Sequence, residues 1–324
     1  MTNNKREEFR NKVFERDSYK CIIPNCNQSA KDAHHLMERR LWIDESELEG
    51  YFLDNGVSLC EDHHKIAERN ILCPEVLRMY ANMTAHILPK QFAIGKDYDK
   101  WGKDLKMPNR IWIKYPSTPC LPFSETSTEP IANIDDFIGY PLVITMKMDG
   151  SNIVLTDHHI AARNGRSAEH RSFDELKSIH ASIKHLIPSY LQIFGEWLYA
   201  KHSIHYTGNN ALNSYLQIFG VYNNQKRIFL GWDEVEKWSS IIGYPTAPVI
   251  GKMAFDNKYK FINDITEIAK RRIQSGNEGI VVRSIYPFHY GQFETYMAKY
   301  VRPNHVQTDV HWKNQKITKN ELEK

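Results

Sequence analysis

A chain of 324 residues and 37.9 kDa has room for two domains of roughly 100–200 residues each. Its content, 41% hydrophobic and 25% charged, is that of a globular protein, and no apolar run approaches the ~20 residues of a bilayer span, which excludes a membrane-crossing role. A net charge of +3 permits a nucleic-acid partner without arguing for one. The N-terminus, MTNNKREEFRNK, carries charge but no apolar core, so it does not read as a secretory signal. The expectation is a cytoplasmic monomer. The five cysteines are odd in number, and Cys21, Cys26 and Cys60 fall near histidines, a clustering that favours metal over disulfides.

Residues 5–17 place Phe9, Val13 and Phe14 on one face of a short amphipathic helix. CIIPNC follows, then DAHHLMERRLW, then DNGVSLCEDHH. Cys21 and Cys26 form one short-range pair, Cys60 and His63 another, which is the arrangement of a closed tetrahedral Zn²⁺ site. With His34, His35, Asn55 and His64 between and beside these ligands, the order resembles an HNH (ββα-metal) domain. The resemblance implies that His35 is a general base for water, that His34 and His64 hold a divalent ion at a phosphate, and that Asn55 fixes the loop between them. The same module could instead grip nucleic acid, with Arg39, Arg40 and Lys65 on phosphates and the histidines structural. Residues 74–90 predict a helix ended by Pro89. A polar stretch from Lys96 to Met107 puts the division into domains 1–105 and 106–324.

In the second domain RIWIKY (110–115) alternates as a strand does, and the Pro/Ser/Thr-rich run PSTPCLPFSETSTEP is long enough to be a loop over a binding site. The apolar strand Leu142–Met146 then delivers Lys147 to the tight turn of KMDGSN. Alone, this motif reads more readily as an ordinary solvated lysine beside a hairpin turn than as a nucleophile. NIVLTDHHIAARNGR reads as a hairpin reversing at Asp157-His158, and LQIFGEW, YLQIFGVY, EGIVVRS and YMAKYVRP are further short strands, most with a charged residue near an end.

Taken in order, KMDG (147–150), ARNGR (162–166), FGEW (194–197), YLQIFGVYN (215–223), EGIVVR (278–283) and MAKYVR (297–302) resemble the nucleotidyltransferase motifs of the covalent ligase and capping-enzyme superfamily. EGIVVR and AKYVRPNHVQTDVHW are most similar to RNA ligases. The resemblance covers residues 110–312 and implies a mainly antiparallel-sheet adenylation domain there, so that with the zinc-stapled ββα module before it the chain is expected to be α+β. Only about twenty residues follow Pro303, too few for a C-terminal OB-fold, and the terminal KNQKITKNELEK reads as a solvated, frayed tail.

The implied activity is ATP-dependent joining of a 3′-hydroxyl to a 5′-phosphate in nicked duplex or RNA ends, through a lysyl-AMP on Lys147 with Mg²⁺ or Mn²⁺. Catalysis falls to Lys147, Glu278 and Lys299, and nucleotide binding to Asp149, Asn152, Arg163, Glu196, Phe219, Val281, Arg283 and Lys299. The residue types fit: a lysine amine must be freed of its proton to attack phosphorus, the glutamates can hold a divalent ion, and Phe219 offers a purine its face. Two positions depart from the family pattern. Lys299 stands where two lysines one residue apart are common, and Arg283 where lysine is frequent. A DNA ligase, an HNH endonuclease with a ligase-derived binding domain, and a binding protein without turnover remain the competing readings. Lacking a C-terminal clamp, the adenylation domain is expected to rely on the zinc module to hold its substrate.

Overall fold

The computed structural model describes residues 2–125, 130–162, 170–303 and 317–323. It divides into two units, Met1–Pro108 with Phe288–Gln292, and Asn109–Pro287 with Phe293–Lys324. The first unit opens with α1 (Thr2–Arg16), β1 (Asp32–His35), β2 (Gly56–Leu59), α2 (Glu61–Glu68) and α3 (Pro74–Tyr80). The second runs β3 (Pro141–Lys147), β4 (Ser151–Leu155), β5 (Ile160–Ala162), α4 (Asp174–Ile183), β6 (Leu191–Trp197), β7 (Leu216–Asn223), β8 (Ile228–Phe229), α5 (Trp232–Ile242), β9 (Val249–Ala254), α6 (Lys258–Gln274) and β10 (Gly279–Ser284). After these come β11 (Phe288–His289), which lies in the first unit, then α7 (Phe293–Tyr296) and β12 (Met297–Val301).

In the first unit β1 and β2 pair antiparallel, His34 opposite Val57, and α1 lies on both strands. Phe9 and Val13, one helical turn apart, are buried together with Phe14. Asn55 is buried, and its amide accepts from Met37 N at 2.9 Å and donates to the Met37 and Gly50 carbonyls at 3.1 and 3.0 Å. One side chain thereby satisfies the backbone that leaves β1. The helix expected to reach Pro89 stops at Tyr80. Asn82 turns left-handed with φ 51°, its N–H bonds Met79 O, and Met83 N–H bonds Arg78 O at 3.0 Å. This is the pattern of a Schellman cap, completed well before the proline is reached.

The second unit holds two antiparallel sheets. One has the order β12-β10-β3-β9, and the other runs β8-β7-β6-β4-β5 within this unit. Helix α6 buries Phe261, Ile265 and Ala269 at four-residue spacing and packs on β10 and β12. The expected strand over 110–115 does not form. Ile113 instead exchanges two hydrogen bonds with the Gln192 side-chain amide, at 2.8 and 3.0 Å, so one glutamine replaces a partner strand for this segment.

The tail also differs from expectation. Residues 317–323 lie along the segment 198–212, Lys319 bridging Ala200 and Leu322 bridging Leu212, and Asn320 is 2% exposed. A polar stretch docks here through backbone hydrogen bonds, which leave no apolar periodicity to read. Among the described residues no helix is long and apolar enough to cross a membrane.

Candidate active site

Strand β3 belongs to one sheet of the second unit and β4 to the other, so Met148, Asp149 and Gly150 carry the chain across the joint. Lys147 is the last residue of β3 and stands there. Register does the rest: Lys147 is opposite Gly279, while Thr145, Val281 and Lys299 lie in one row across β3, β10 and β12. Because side chains alternate along a strand, these residues share one face. That face lines a cavity of about 420 Å³.

The second sheet supplies the other side. Asn152 on β4 is the direct cross-strand partner of Glu196 on β6. Phe219 enters through a β-bulge: Phe194 opposes Gly220 and Gly195 opposes Ile218, leaving Phe219 as the extra residue of β7. A bulge re-aims its side chain, and the Phe219 ring lines the cavity, held edge-on by Tyr115 at 5.0 Å. The Phe219 carbonyl accepts from buried Arg283 at 3.4 Å, and Leu230 O from the same guanidinium at 2.7 Å. Burial pulls Arg283 down to about 10, against Tyr115 and Glu234. Arg283 thus braces the strand that presents Phe219.

Lys147 Nζ donates to Glu278 Oε2 at 2.6 Å. Burial works against its charge, but Glu278, Glu196 and Asp149 together outweigh it and hold the ammonium above the ordinary lysine value. Glu196 shows the converse. Burial first, with help from Glu278 and Asp149, pushes it up to about 8 against the pull of Lys147 and of Gly150 N–H, which donates to it at 3.0 Å. Asp149 is itself held by the segment after β6: its Oδ2 accepts from Ser203 N, Ser203 Oγ and Ile204 N at 2.9, 2.7 and 2.6 Å. Its own N–H donates to the Tyr206 hydroxyl at 2.9 Å. Gly150 has no room for a side chain, because a Cβ would sit 2.6 Å from Trp197 O.

Of the residues expected here, Lys147, Asp149, Asn152, Glu196, Phe219, Glu278, Val281, Arg283 and Lys299 all line this one cavity. Arg163 lies outside the described residues. Thr145, Tyr115, Trp232 and the loop residues Pro116 and Thr118 also line it. Thr145 could have been found from strand alternation with Lys147, and Pro116 and Thr118 belong to the Pro/Ser/Thr-rich run expected to lie over a binding site; Tyr115 and Trp232 carry no local signal.

The first unit brings its expected ligands together in two groups. Cys21, Cys26, Cys60 and His63 have ligand atoms all within 4.8 Å of one another, with Cys60 Sγ to His63 Nδ1 at 3.1, Cys21 Sγ to His63 Nδ1 at 3.4 and Cys26 Sγ to Cys60 Sγ at 4.0 Å. The edges of a zinc tetrahedron are about 3.5–3.8 Å for the usual bond lengths, so the donor set fits the ion. His64, the next residue of α2, points to another side and meets His34 and Glu68. Glu68 Oε1 lies 3.1 Å from His34 Nδ1 and 3.3 Å from His64 Nε2, and Lys100 Nζ lies 2.9 Å from its other oxygen. His35 is not in this group; its ring stacks on Phe9 at 4.5 Å. Burial, with the charges of His34, Arg39 and Lys100, drives His35 down to about 3. All three histidines line a second cavity of about 480 Å³, together with Arg39, Arg40 and Lys100. Glu68 and Lys100 had no motif to mark them.

The sequence profile of the RNA ligase family matches residues 140–301, the span from the start of β3 to the end of β12. No curated protein matches the chain. Among solved structures, a Naegleria gruberi RNA ligase with PPi is 16% identical over 78% of this chain and 72% of its own, with a TM-score of 0.42. An archaeal ATP-dependent RNA ligase is 16% identical over 58% of this chain at TM-score 0.42, and a putative ATP-dependent DNA ligase from Aquifex aeolicus 18% identical over 58% at 0.40. The chain spans about half the length of the latter two, 48% and 49%. At these TM-scores the structural likenesses carry no weight for function.

Proposed function

This chain belongs to the RNA ligase family, and from that premise we propose that it joins polynucleotide ends at the expense of ATP, through an adenylate carried on Lys147. The observation that carries the proposal is the meeting of Lys147, Glu196, Glu278 and Lys299 around one cavity that also offers an aromatic face at Phe219. In the first step the Lys147 amine forms a P–N bond to the α-phosphorus as the bond to pyrophosphate breaks. Glu278, 2.6 Å from Nζ, is the nearest acceptor for the proton that the ammonium must lose. Lys299 faces the same space from β12 and supplies fixed positive charge for the phosphate oxygens. AMP then passes to a 5′-phosphate, and a 3′-hydroxyl displaces it.

Three carboxyl groups, from Asp149, Glu196 and Glu278, crowd one ammonium, and Asp149 is already bonded by Ser203 and Ile204. Glu196 and Glu278 are the oxygen donors that suit Mg²⁺ or Mn²⁺, which when bound would neutralise them and stabilise charge on the phosphates. Val281 and Phe219 are the apolar contacts for the base, and Asn152 and Glu196, side by side on adjacent strands, are placed for the sugar and the reacting ends.

For the first unit we favour a zinc-stapled clamp on nucleic acid, with Cys21, Cys26, Cys60 and His63 as ligands and the exposed Arg39 and Arg40 toward phosphates. Cleavage at His34, His35 and His64 is the second reading, favoured by the His34–His64–Glu68 group. Against it, Lys100 already neutralises Glu68. A panel of 5′-phosphorylated nicks and single strands, RNA or DNA on each side, tests the whole scheme with ATP and Mg²⁺ or Mn²⁺. Joined product with RNA at the junction is expected. DNA-only joining would make it a DNA ligase, strand scission lost in His35→Ala would assign the second reading, and no joining of any substrate would sink the proposal.

A further inference from the structure

The C-terminal residues 317–323 reach the nucleophile's loop through a short chain of hydrogen bonds. Asn320 stands at its head. Its Oδ1 accepts from Tyr206 N at 3.0 Å and its Nδ2 donates to Leu198 O at 2.7 Å. Its backbone N–H donates to Tyr199 O at 2.9 Å, and its carbonyl accepts from the Tyr215 hydroxyl at 2.9 Å. All four bonds are made to the segment 198–215 that follows β6. Asn320, Tyr206 and Leu198 are almost wholly buried, at 2%, 1% and 0% exposure, so each bond is shielded from water and costly to leave unmade.

That segment is what holds the turn after Lys147. The Tyr206 hydroxyl accepts from Asp149 N, and Ser203 and Ile204 donate three hydrogen bonds to the Asp149 carboxylate. On its other side, Leu198 Cδ2 lies 2.8 Å from where a Gly150 Cβ would be. Asn320 therefore grips the two points, Leu198 and Tyr206, between which Asp149 and Gly150 are seated, two and three residues after Lys147. Neighbouring bonds extend the grip: Leu212 N donates to Glu321 O at 2.9 Å and Lys201 N to Thr318 O at 2.8 Å.

We propose that Asn320 is a positioning residue for the lysine nucleophile, acting through Tyr206 and Asp149, and that the C-terminal strap is part of the adenylation site rather than a tail. The proposal rests on Lys147 being adenylylated. Its chemical reason is geometric: an amine displaced by about 1 Å from the line of attack loses up to a hundredfold in rate. Neither Asn320 nor Tyr206 lines the nucleotide cavity, so the loss falls on the chemical step and not on ATP capture.

Full-length Asn320→Ala, Asn320→Asp, Tyr206→Phe and the Ala/Phe double variant test this by single-turnover labelling of Lys147 with ATP. Amide hydrogen exchange of peptides covering 147–152 and 198–212 gives a readout that needs no activity. Asn320→Ala should lower the labelling rate about tenfold or more at saturating ATP, leave the KM for ATP within about twofold, and speed exchange in both segments. Asn320→Asp, which keeps the acceptor for Tyr206 N, should recover part of the rate. The double variant should lose less than the product of the two single losses, because both act on one path. Labelling within about twofold of wild type in Asn320→Ala, multiplicative losses, or a loss that vanishes on cooling below the unfolding transition would each overturn it. Unlabelled wild type would refute the ligase reading itself, and unchanged exchange in 147–152 would refute the positioning link alone.

Discussion

Glu196 is the residue whose environment and whose task are most at odds. A carboxyl with an ordinary value near 4.5 is held at about 8 by burial and by Glu278 and Asp149. The unfolded chain releases this proton above pH 4.5 while the folded chain keeps it until pH 8, so folding stability falls as pH rises through that window. Glutamine has no proton to release and can still accept from Gly150 N. Glu196→Gln should therefore melt about 3 °C above wild type at pH 8 and together with it near pH 4.5, while labelling of Lys147 falls at least tenfold. A melting difference that does not depend on pH would contradict this reading. The same crowding keeps Lys147 protonated at rest: the site spends stability on a charge arrangement that only substrate and cation complete.

Strands set the site's geometry, and one glycine fixes how closely two of them approach. Gly279 begins β10 between β3 and β12 with φ +153°, and a Cβ there would lie 2.0 Å from Tyr300 O. No rotation of a side chain relieves a clash with backbone, so Gly279→Ala should cost about 3 kcal/mol or more, read as a lowered denaturation midpoint. A midpoint equal to wild type would mean that this register is wrong. Strands β6, β7, β10 and β12 were legible as short apolar runs, and so were the charged residues that their register gathers. The bulge at Phe219 was not legible, since nothing in LQIFGVYN differs from a regular strand. Nor was the strap, whose attachment is mostly backbone, or the substitution of Gln192 for a strand partner at Ile113. In each case a long-range hydrogen bond decided what local periodicity could not.

At the scale of the molecule, ligand spacing in the first sixty-odd residues and ordered motifs beyond residue 140 pointed to two different chemistries. The structure groups Phe288–Gln292 with the first unit, where His289 Nε2 meets Asp97 Oδ2 at 2.8 Å in full burial. No motif foretold that return. On the clamp reading, Cys60→Ala should reduce zinc from about one per chain to none by metal analysis and lower strand joining about tenfold, with Lys147 labelling within about twofold of wild type. Joining unaffected by loss of zinc would remove the clamp. Whether Lys147 is the nucleophile is decided by incubation with α-labelled ATP. Covalent label is expected on the wild-type chain and none on Lys147→Ala; an unlabelled wild type, or label that survives the substitution, would contradict it.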